Sequence, residues 1–370
     1  MTGFGHNIHG FGVISSVSEV GYNLMSWGKG DKGGTGLGNT TDFSTPQAGG
    51  KAYWDKLDMG WNFTSGATRK DGTLWTWGEA GGGGMLGHNN TTDLSVPTQV
   101  GALENWADLR WGVSHGSFLK TDGTLWGTGD TQGRGGGTGQ PKASSPVQVG
   151  ALTNWASIGA GYAHGGAVKT DGTLWTWGRN TLGCLGNGNT TSIQSPAQIG
   201  SLTDWASVAM GFDVSLAIKT DGTLWSWGSD NYKGKAASAD RSSPVQVGSA
   251  TDWAFVEVHY QHGGAVTTGG KLYMWGTGYY GKLGAGNTTT SVGPQQVGTL
   301  TNWSKVSCND LSTIALKTDG TLWSWGYGRG GSLGHGNTTA YSSPKQIGSL
   351  TTWTTISAGD ESGMAIYTDE

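Results

Sequence analysis

Short runs of β-prone residues alternate with turn residues along the chain. In the clearest copy of this pattern, the runs Gly165–Lys169 and Thr173–Trp177 flank an Asp-Gly pair at Asp171. An Asp-Gly pair between two strand-like runs is a strong β-hairpin signal. A Gly-rich loop then leads to Pro196, and a last run begins at Trp205. Because proline cannot donate to a central ladder, the segment around Pro196 is predicted to be an edge or connecting strand. One copy therefore holds about four strands.

The copies recur with a period near fifty residues. Trp-Gly pairs, with Thr-Gly in one copy, are separated by steps of 48 to 51 residues and fall at Trp27, Trp77, Thr128, Trp177, Trp227, Trp275 and Trp325. Seven copies of a four-stranded unit are typical of a closed repeat architecture. We therefore predict an all-β chain that folds as a seven-bladed β-propeller with four-stranded blades.

The two ends of the chain complete each other. Residues 359–370 match the first half of the repeat hairpin, and residues 21–28 match its second half. Strands from the N- and C-termini are thus predicted to share one blade and to close the ring, which removes exposed sheet edges. The propeller should span residues 20–370, and residues 1–19 are predicted to be a separate N-terminal segment that acts as a docking arm.

Composition supports this fold and limits the partners. Seventy Gly and twenty Trp favour tight turns and short strands. Charged residues make up 13% of the chain and the net charge is −4, so nucleic acid is not an expected partner. No run is long and apolar enough for membrane insertion, and the first nineteen residues lack the features of a secretory signal. Only Trp61 and Trp111 lie outside the register of the repeated tryptophans.

The repeated motif reads Gly-x-x-His, then A-x-K-T-D-G-T-L-W-x-W-G, then L-G-x-G and a later Pro. It resembles the regulator of chromosome condensation repeat over about residues 20 to 370, and this resemblance implies a seven-bladed propeller. Members of that family include a nucleotide exchange factor for a nuclear GTPase, a secreted inhibitor of β-lactamases, and repeat proteins of bacteria and viruses. The exchange-factor role implies a basic nucleosome-facing tail or loop and a protruding wedge, and the sequence shows neither. GTPase exchange activity is therefore not expected.

The sequence offers no set of residues for catalysis, for a cofactor or for a metal ion, so we do not expect an enzyme. The sequence shows no set of acids or bases that converges on the central channel. The histidines His115, His164 and His262 share one repeat position, and they should be separated around the ring and satisfied by local backbone.

Two positions just before the repeat hairpin vary between copies while the framework stays fixed. Because the hairpin runs out and back, these positions and the residues after each Trp-Gly pair should lie at one end of the ring. That end should gather aromatic and acidic residues on a rigid platform, a plausible form for a binding surface. We predict a binding face made of Trp61, Tyr162, Phe212, His259, Tyr260, Tyr279, Tyr280, Asp310, Asp360 and Glu361.

These features predict a non-enzymatic structural or interaction propeller. The repeat style favours a virion-associated protein, such as a bacteriophage capsid or tail accessory or decoration protein. Other virion proteins would be contacted through residues 1–19 and the variable face, and a host-surface glycan or protein is a further candidate partner. The alternative is a free protein-binding inhibitor or lectin-like module. The predicted location is the virion or the extracellular space without a secretory signal, or the cytoplasm if the protein is not viral.

Overall fold

The computed structural model describes residues 21–229 and 239–369, which form seven four-stranded antiparallel sheets. The first strand of each sheet contacts the first strand of the next, and the last sheet contacts the first. The described chain is therefore a nearly all-β, seven-bladed propeller, and the predicted fold class is confirmed. Blades 1 to 6 follow chain order, and blade 7 contains strands from both chain ends.

Every blade has the same strand order from the axis outwards. The inner strands are β3 (Trp54–Met59), β7 (Trp106–Trp111), β11 (Trp155–Ala160), β15 (Trp205–Met210), β19 (Trp253–Val258), β23 (Trp303–Cys308) and β27 (Trp353–Gly359). The second strands are β4 (Thr64–Arg69), β8 (His115–Lys120), β12 (His164–Lys169), β16 (Val214–Lys219), β20 (His262–Thr267), β24 (Ser312–Lys317) and β28 (Ser362–Thr368). The third strands are β5 (Leu74–Gly78), β9 (Leu125–Gly129), β13 (Leu174–Gly178), β17 (Leu224–Gly228), β21 (Leu272–Gly276), β25 (Leu322–Gly326) and β1 (Tyr22–Gly28). The outer strands are β6 (Leu94–Gln99), β10 (Ala143–Gln148), β14 (Ile193–Gln198), β18 (Arg241–Gln246), β22 (Ser291–Gln296), β26 (Tyr341–Gln346) and β2 (Phe43–Lys51). Helical turns between third and outer strands are α1 (Thr131–Arg134) and the 3-10 turns Asp31–Gly33, Thr181–Gly183, Tyr279–Gly281 and Arg329–Gly331.

The hairpin between the second and third strands is held by its own side chains. In blade 3, Asp171 Oδ1 accepts hydrogen bonds from the backbone N–H of Thr173 at 3.0 Å and from its hydroxyl at 2.6 Å. The Thr173 hydroxyl in turn accepts a bond from Trp175 Nε1 at 2.9 Å. Gly172 adopts a φ of +77°, and a Cβ there would collide with the Thr203 carbonyl of the next blade. The same bonds occur in blades 1, 2, 4 and 6, so the T-D-G-T-L-W sequence specifies this turn.

The tryptophans of the Trp-Gly pairs link neighbouring blades. Trp177 is fully buried, and its Nε1 donates to the Gly133 carbonyl of the preceding blade at 2.8 Å. Trp77 and Trp227 make the same bond to the preceding blade, at 3.1 and 2.8 Å. Each of these three junctions thereby combines a buried indole, worth about 150–250 Å² of buried surface, with a hydrogen-bonded polar group.

Blade 2 has Thr128 where the other blades have this tryptophan. Thr128 Oγ1 donates to the Met85 carbonyl of blade 1 at 2.5 Å, so the link between blades is kept. The space over Gly116, which in blade 3 holds the Trp177 ring over Gly165, is filled by Phe118 and Trp111. The position of Trp111 outside the tryptophan register is thus explained by the loss of an indole at Thr128.

Strands from both chain ends close the ring in blade 7, as the sequence predicts. β1 pairs with β28 from Tyr22 opposite Thr368 to Gly28 opposite Ser362. Across the last junction, the Met59 amide of blade 1 donates to Ser357 Oγ of blade 7 at 2.9 Å. The predicted docking arm, residues 1–19, lies outside the described residues.

Candidate functional site

One end of the ring carries both sets of variable loops. The residue after a Trp-Gly pair donates to a carbonyl just before the hairpin, as in Arg179 N to Ala163 O at 2.9 Å and Tyr327 N to Leu311 O at 3.0 Å. These bonds hold the loop between the inner and second strands beside the loop after the third strand. We call this end the interaction face.

Five of the predicted face residues form a continuous aromatic cluster: Trp61, Tyr162, Phe212, His259 and Tyr260. Trp61 stacks on His259 with ring centroids 3.8 Å apart and an interplanar angle of 16°. It also contacts Phe212 at 5.7 Å and Tyr260 at 5.6 Å, and Phe212 lies 4.3 Å from Tyr162. His259 is buried, while the other four rings are partly exposed. The aromatic cluster thus presents apolar surface with fixed ring geometry.

The Trp61 side chain closes the mouth of the central channel. Trp61 follows β3 of blade 1, whereas Phe212 and Tyr260 belong to blades 4 and 5, so its side chain crosses the ring axis. The next two residues, Asn62 and Phe63, have φ values of +58° and +60°, which are uncommon for residues other than glycine. Beneath Trp61 lies an axial cavity of about 390 Å³ that the inner strands line. Trp61 is therefore the cap of this cavity, and this explains the second tryptophan outside the register.

The acidic residues occupy the opposite side of the interaction face, on blades 6 and 7. Glu361 forms ion pairs with Lys29 at 3.6 Å and with Arg329 at 3.3 Å. Burial raises the pKa of Asp360, and the nearby Glu361 and Asp310 carboxylates raise it further. Burial also raises the pKa of Asp310. Three acids thus lie close together and partly desolvated.

Lys282 provides a counter-charge to this acidic side. It is only 2% exposed, and its Nζ donates to the Asp310 carbonyl at 2.8 Å. Burial lowers the pKa of Lys282 to about 8, against the opposing effect of the Asp310 carboxylate.

The remaining two predicted residues, Tyr279 and Tyr280, lie in a separate group. They are 63% and 48% exposed, and Tyr280 stacks on Tyr327 with ring centroids 4.3 Å apart. Within residues 21–229 and 239–369, no ring contact joins these tyrosines to the aromatic cluster. They form an outer patch on the third-strand loops of blades 5 and 6.

Two of the three repeated histidines form a hydrogen bond across a blade junction, and the third has no partner. His164 Nε2 lies 3.4 Å from Ser215 Oγ, and His262 Nε2 lies 3.0 Å from Thr313 Oγ1, so in both cases the partner is a hydroxyl of the next blade. His115 has no partner at either ring nitrogen, because Gly165 takes the place of that hydroxyl in blade 3. The expectation of local backbone partners was therefore wrong.

The central channel brings together charged residues that sequence reasoning missed. Asp58, Arg110 and Glu257 each lie four positions after the tryptophan that begins an inner strand, and all line the axial cavity. Arg110 donates to Asp108 Oδ1 at 2.7 Å, and its side chain is 39% exposed because the channel admits water. The expectation that no acids or bases converge on the channel was therefore wrong. The available signal was the charge at this one repeat position, where other inner strands have Gly, Ala or Ser.

The pKa values of two partly buried carboxylates in the channel are raised. Burial raises the pKa of Asp58 to about 7, although the Arg110 guanidinium and a hydrogen bond from the Trp111 amide at 2.7 Å oppose the shift. Burial likewise raises the pKa of Glu257 to about 7, against bonds from the Cys308 amide at 3.0 Å and from the Ser307 hydroxyl at 2.9 Å. Both side chains serve as acceptors for the neighbouring blade.

Within the described ranges, no group of three or more His, Cys, Asp or Glu side chains is arranged to hold a metal ion. The same part of the chain contains no helix with the length and apolar character needed to cross a membrane.

Comparison with protein families gives a repeated match. Residues 71–119, 171–218, 269–316 and 319–366 match the regulator of chromosome condensation (RCC1) repeat. A second model of the same repeat matches residues 205–234 and 303–331. The matched segments cover more than half of the chain. In addition, 120 residues are 33% identical to the ultraviolet-B receptor UVR8 of Arabidopsis thaliana, and the match spans 31% of this chain and 27% of the receptor.

Solved structures with the same architecture cover nearly the whole chain. Human WBSCR16 aligns with a TM-score of 0.82 at 18% identity, over 94% of this chain and 98% of that one. Yeast RCC1 (Prp20) bound to Kap60 aligns with a TM-score of 0.83 at 18% identity, over 95% and 90%. Prp20p of Saccharomyces cerevisiae, described with its binding to Gsp1p and histones, aligns with a TM-score of 0.82 at 16% identity, over 95% and 92%. At this identity the likeness establishes the fold.

Proposed function

Because this chain belongs to the regulator of chromosome condensation (RCC1) repeat family, we propose that it is a non-enzymatic interaction propeller that binds a protein partner through its interaction face. The proposal depends above all on the aromatic cluster. Framework residues repeat from blade to blade, whereas this end of the ring carries four partly exposed aromatic rings on a rigid scaffold. Buried aromatic anchors dominate the energy of many protein interfaces.

The family relationship supports a protein partner. The related yeast propeller is described in complex with Kap60 and with binding to Gsp1p and histones. Fold alone does not determine function, so the identity of the partner has to come from the variable residues. In this chain the varied positions lie on the interaction face.

The proposal is tested with the triple variant Tyr162→Ala, Phe212→Ala and Tyr260→Ala. Proteins recovered with the wild type are quantified by mass spectrometry, and direct binding of each recovered protein is then measured by calorimetry after purification. A partner that uses this face should bind the triple variant at least 100-fold more weakly, since three anchors of roughly 1–2 kcal/mol or more each are lost.

A matched control removes three exposed hydrophobic side chains from the opposite end of the ring: Leu202→Ala, Leu300→Ala and Leu350→Ala, which are 46%, 46% and 40% exposed. This control should bind the partner as the wild type does. Equal binding by the wild type and the aromatic variant would refute the use of the interaction face.

The narrower role in a bacteriophage particle stays a prediction, and the comparisons give it no support. Such a role would place the protein in the virion, with contacts through residues 1–19 and the interaction face. The alternative, a free inhibitor or a lectin-like module that binds a glycan, needs only the interaction face. Identification of the protein in purified particles, or its absence from them, separates these two roles.

A further inference from the structure

The inner strands are edge strands, and their free amides point into the channel. In an antiparallel pair, alternate N–H groups point away from the partner strand. In blade 3, Gly161 N bonds to His164 O of the second strand, so the amide of the preceding residue, Ala160, points towards the channel. An amide of this kind needs an acceptor, either a protein group or another molecule in the channel.

At four blade junctions a side chain of the preceding blade supplies that acceptor. This side chain always lies four positions after the tryptophan that begins its inner strand. It accepts a hydrogen bond from the backbone amide that lies five positions after the tryptophan of the next inner strand. The pairs are Glu257 with Cys308 N at 3.0 Å, Ser307 with Ala358 N at 2.9 Å, Ser357 with Met59 N at 2.9 Å, and Asp58 with Trp111 N at 2.7 Å.

At the three remaining junctions this acceptor is missing. The residues at the acceptor position are Arg110, Gly159 and Ala209, and none of these side chains can accept a hydrogen bond. The amides left without a side-chain acceptor belong to Ala160, Met210 and Val258. A Cβ built on Gly159 would lie 3.5 Å from Met210 N, so the empty acceptor position faces this amide directly.

The three amides are consecutive around the ring, and all three residues line the axial cavity of about 390 Å³. They form an arc of hydrogen-bond donors, with the Arg110 guanidinium at one end. We call Ala160, Met210 and Val258 the amide arc. Gly159 has no side chain and Ala209 has only a methyl group, so no polar side chain at these two positions competes for the amides.

Two carboxylates flank the amide arc. Asp58 lies one blade before Arg110, and Glu257 lies on blade 5 at the other end of the arc. Asp108, which is paired to Arg110, adds a third carboxylate, and Lys56 and Lys305 line the same cavity, so three carboxylates face three cationic groups. A simple anion or a simple cation would upset this balance of charge, and a simple cation would also leave the amides without acceptors.

We propose that the axial cavity binds a small zwitterion of the amino acid type, with its carboxylate on the amide arc and its ammonium group beside Asp58 or Glu257. Such a ligand supplies the missing acceptors and a positive charge without adding net charge. The Trp61 cap, stacked on the buried His259, encloses the bound molecule at the interaction face. This site does not depend on the proposed protein-binding function.

The proposal is tested by calorimetry at pH 8 with the twenty amino acids, and with blocked analogues of any that binds. At least one free amino acid should bind. Its N-acetyl form, which lacks the ammonium group, and its amide, which lacks the carboxylate, should each bind at least tenfold more weakly. D-Glucose serves as an uncharged polyol. Binding of glucose or of the N-acetyl form in preference to the zwitterion would overturn the assignment, and so would the failure of every amino acid to bind.

A second arm fills the empty acceptor position. In Ala209→Ser, the new hydroxyl can accept from Val258 N as Ser307 and Ser357 accept from their neighbours, so ligand affinity should fall at least tenfold while the melting temperature rises. Gly159→Ser should also lower ligand affinity at least tenfold by supplying an acceptor for Met210 N, but without a rise in melting temperature, because its Cβ would lie only 3.0 Å from Met210 Cγ. The control Ala206→Ser changes an exposed residue of the same strand and should alter neither quantity. Unchanged ligand affinity in both folded filling variants would contradict the amide arc as the site.

Discussion

Individual residues of the repeat motif stabilise the hairpin turn and do not form the interaction face. Lys169 lies over the indole of Trp175, with Nζ 3.9 Å from the ring centroid, and Lys219 and Lys317 lie over their tryptophans at 4.4 and 3.7 Å. Together with the Asp-Thr-Trp hydrogen bonds, this contact covers one side of these three third-strand tryptophans. The A-x-K-T-D-G-T-L-W sequence is therefore a local structural unit, and its repetition carries no information about the ligand.

Thr173→Val is expected to destabilise the fold by about 2 kcal/mol, because it removes the bond to Asp171 and leaves Trp175 Nε1 without its acceptor. Chemical denaturation with fluorescence detection measures the change. The control Thr170→Val alters an exposed residue of the same turn and should change the stability by less than about 0.5 kcal/mol. Equal effects of the two substitutions would contradict the assigned role of the Thr173 hydroxyl.

At the scale of the element, blade 2 achieves the common packing with different residues. Thr128 keeps the hydrogen bond between blades, while Phe118 and Trp111 fill the volume of the missing indole. Blade 3 has Trp177, Ala167 and Ala160 at the equivalent three positions. The three residues of each blade therefore form one packing unit, and they should be exchangeable only as a set.

Transfer of the blade 3 set into blade 2 tests this exchange. The double variant Trp111→Ala and Phe118→Ala should lose at least about 4 kcal/mol, since two buried aromatic rings leave a cavity. Addition of Thr128→Trp should recover more than half of that loss, and thermal and urea unfolding of all three proteins measure the recovery. Thr128→Trp alone should destabilise by about 1–3 kcal/mol through overpacking. Strictly additive effects would show that the three positions are independent.

The sequence was sufficient to predict the elements and their number, but not the channel. The hairpin, the edge position of the Pro196 strand and the shared last blade all follow from local signals and from the period. The convergence of Asp58 and Glu257 could not be read in this way, because they come from repeats about 200 residues apart and meet only when the ring closes. Trp61 lies outside the tryptophan register of the sequence, yet only the ring geometry places it against Phe212 and Tyr260.

At the scale of the whole molecule, stability depends on closure. Each blade packs on two neighbours, and separation of the two chain ends within blade 7 would expose the edges of β1 and β28. Blade 7 is the one blade that contains residues from both chain ends, so its hydrogen bonds join the beginning of the chain to its end. β28 lies between β27 and β1 and pairs with both, which makes it the strand on which closure depends.

Deletion of residues 362–370 should therefore abolish cooperative folding of the entire propeller, because blades 1 to 6 lose the partner that completes the ring. Deletion of residues 1–19 should leave the melting temperature within about 2 °C of the wild type, since every strand of the ring is retained. Circular dichroism and calorimetry measure both deletions.

A synthetic peptide of residues 359–370, added to the chain that lacks residues 362–370, should restore the thermal transition in a concentration-dependent manner, because a strand that binds only the folded ring stabilises it by mass action. A shortened chain that melts cooperatively without the peptide would mean that six blades are stable as an open array.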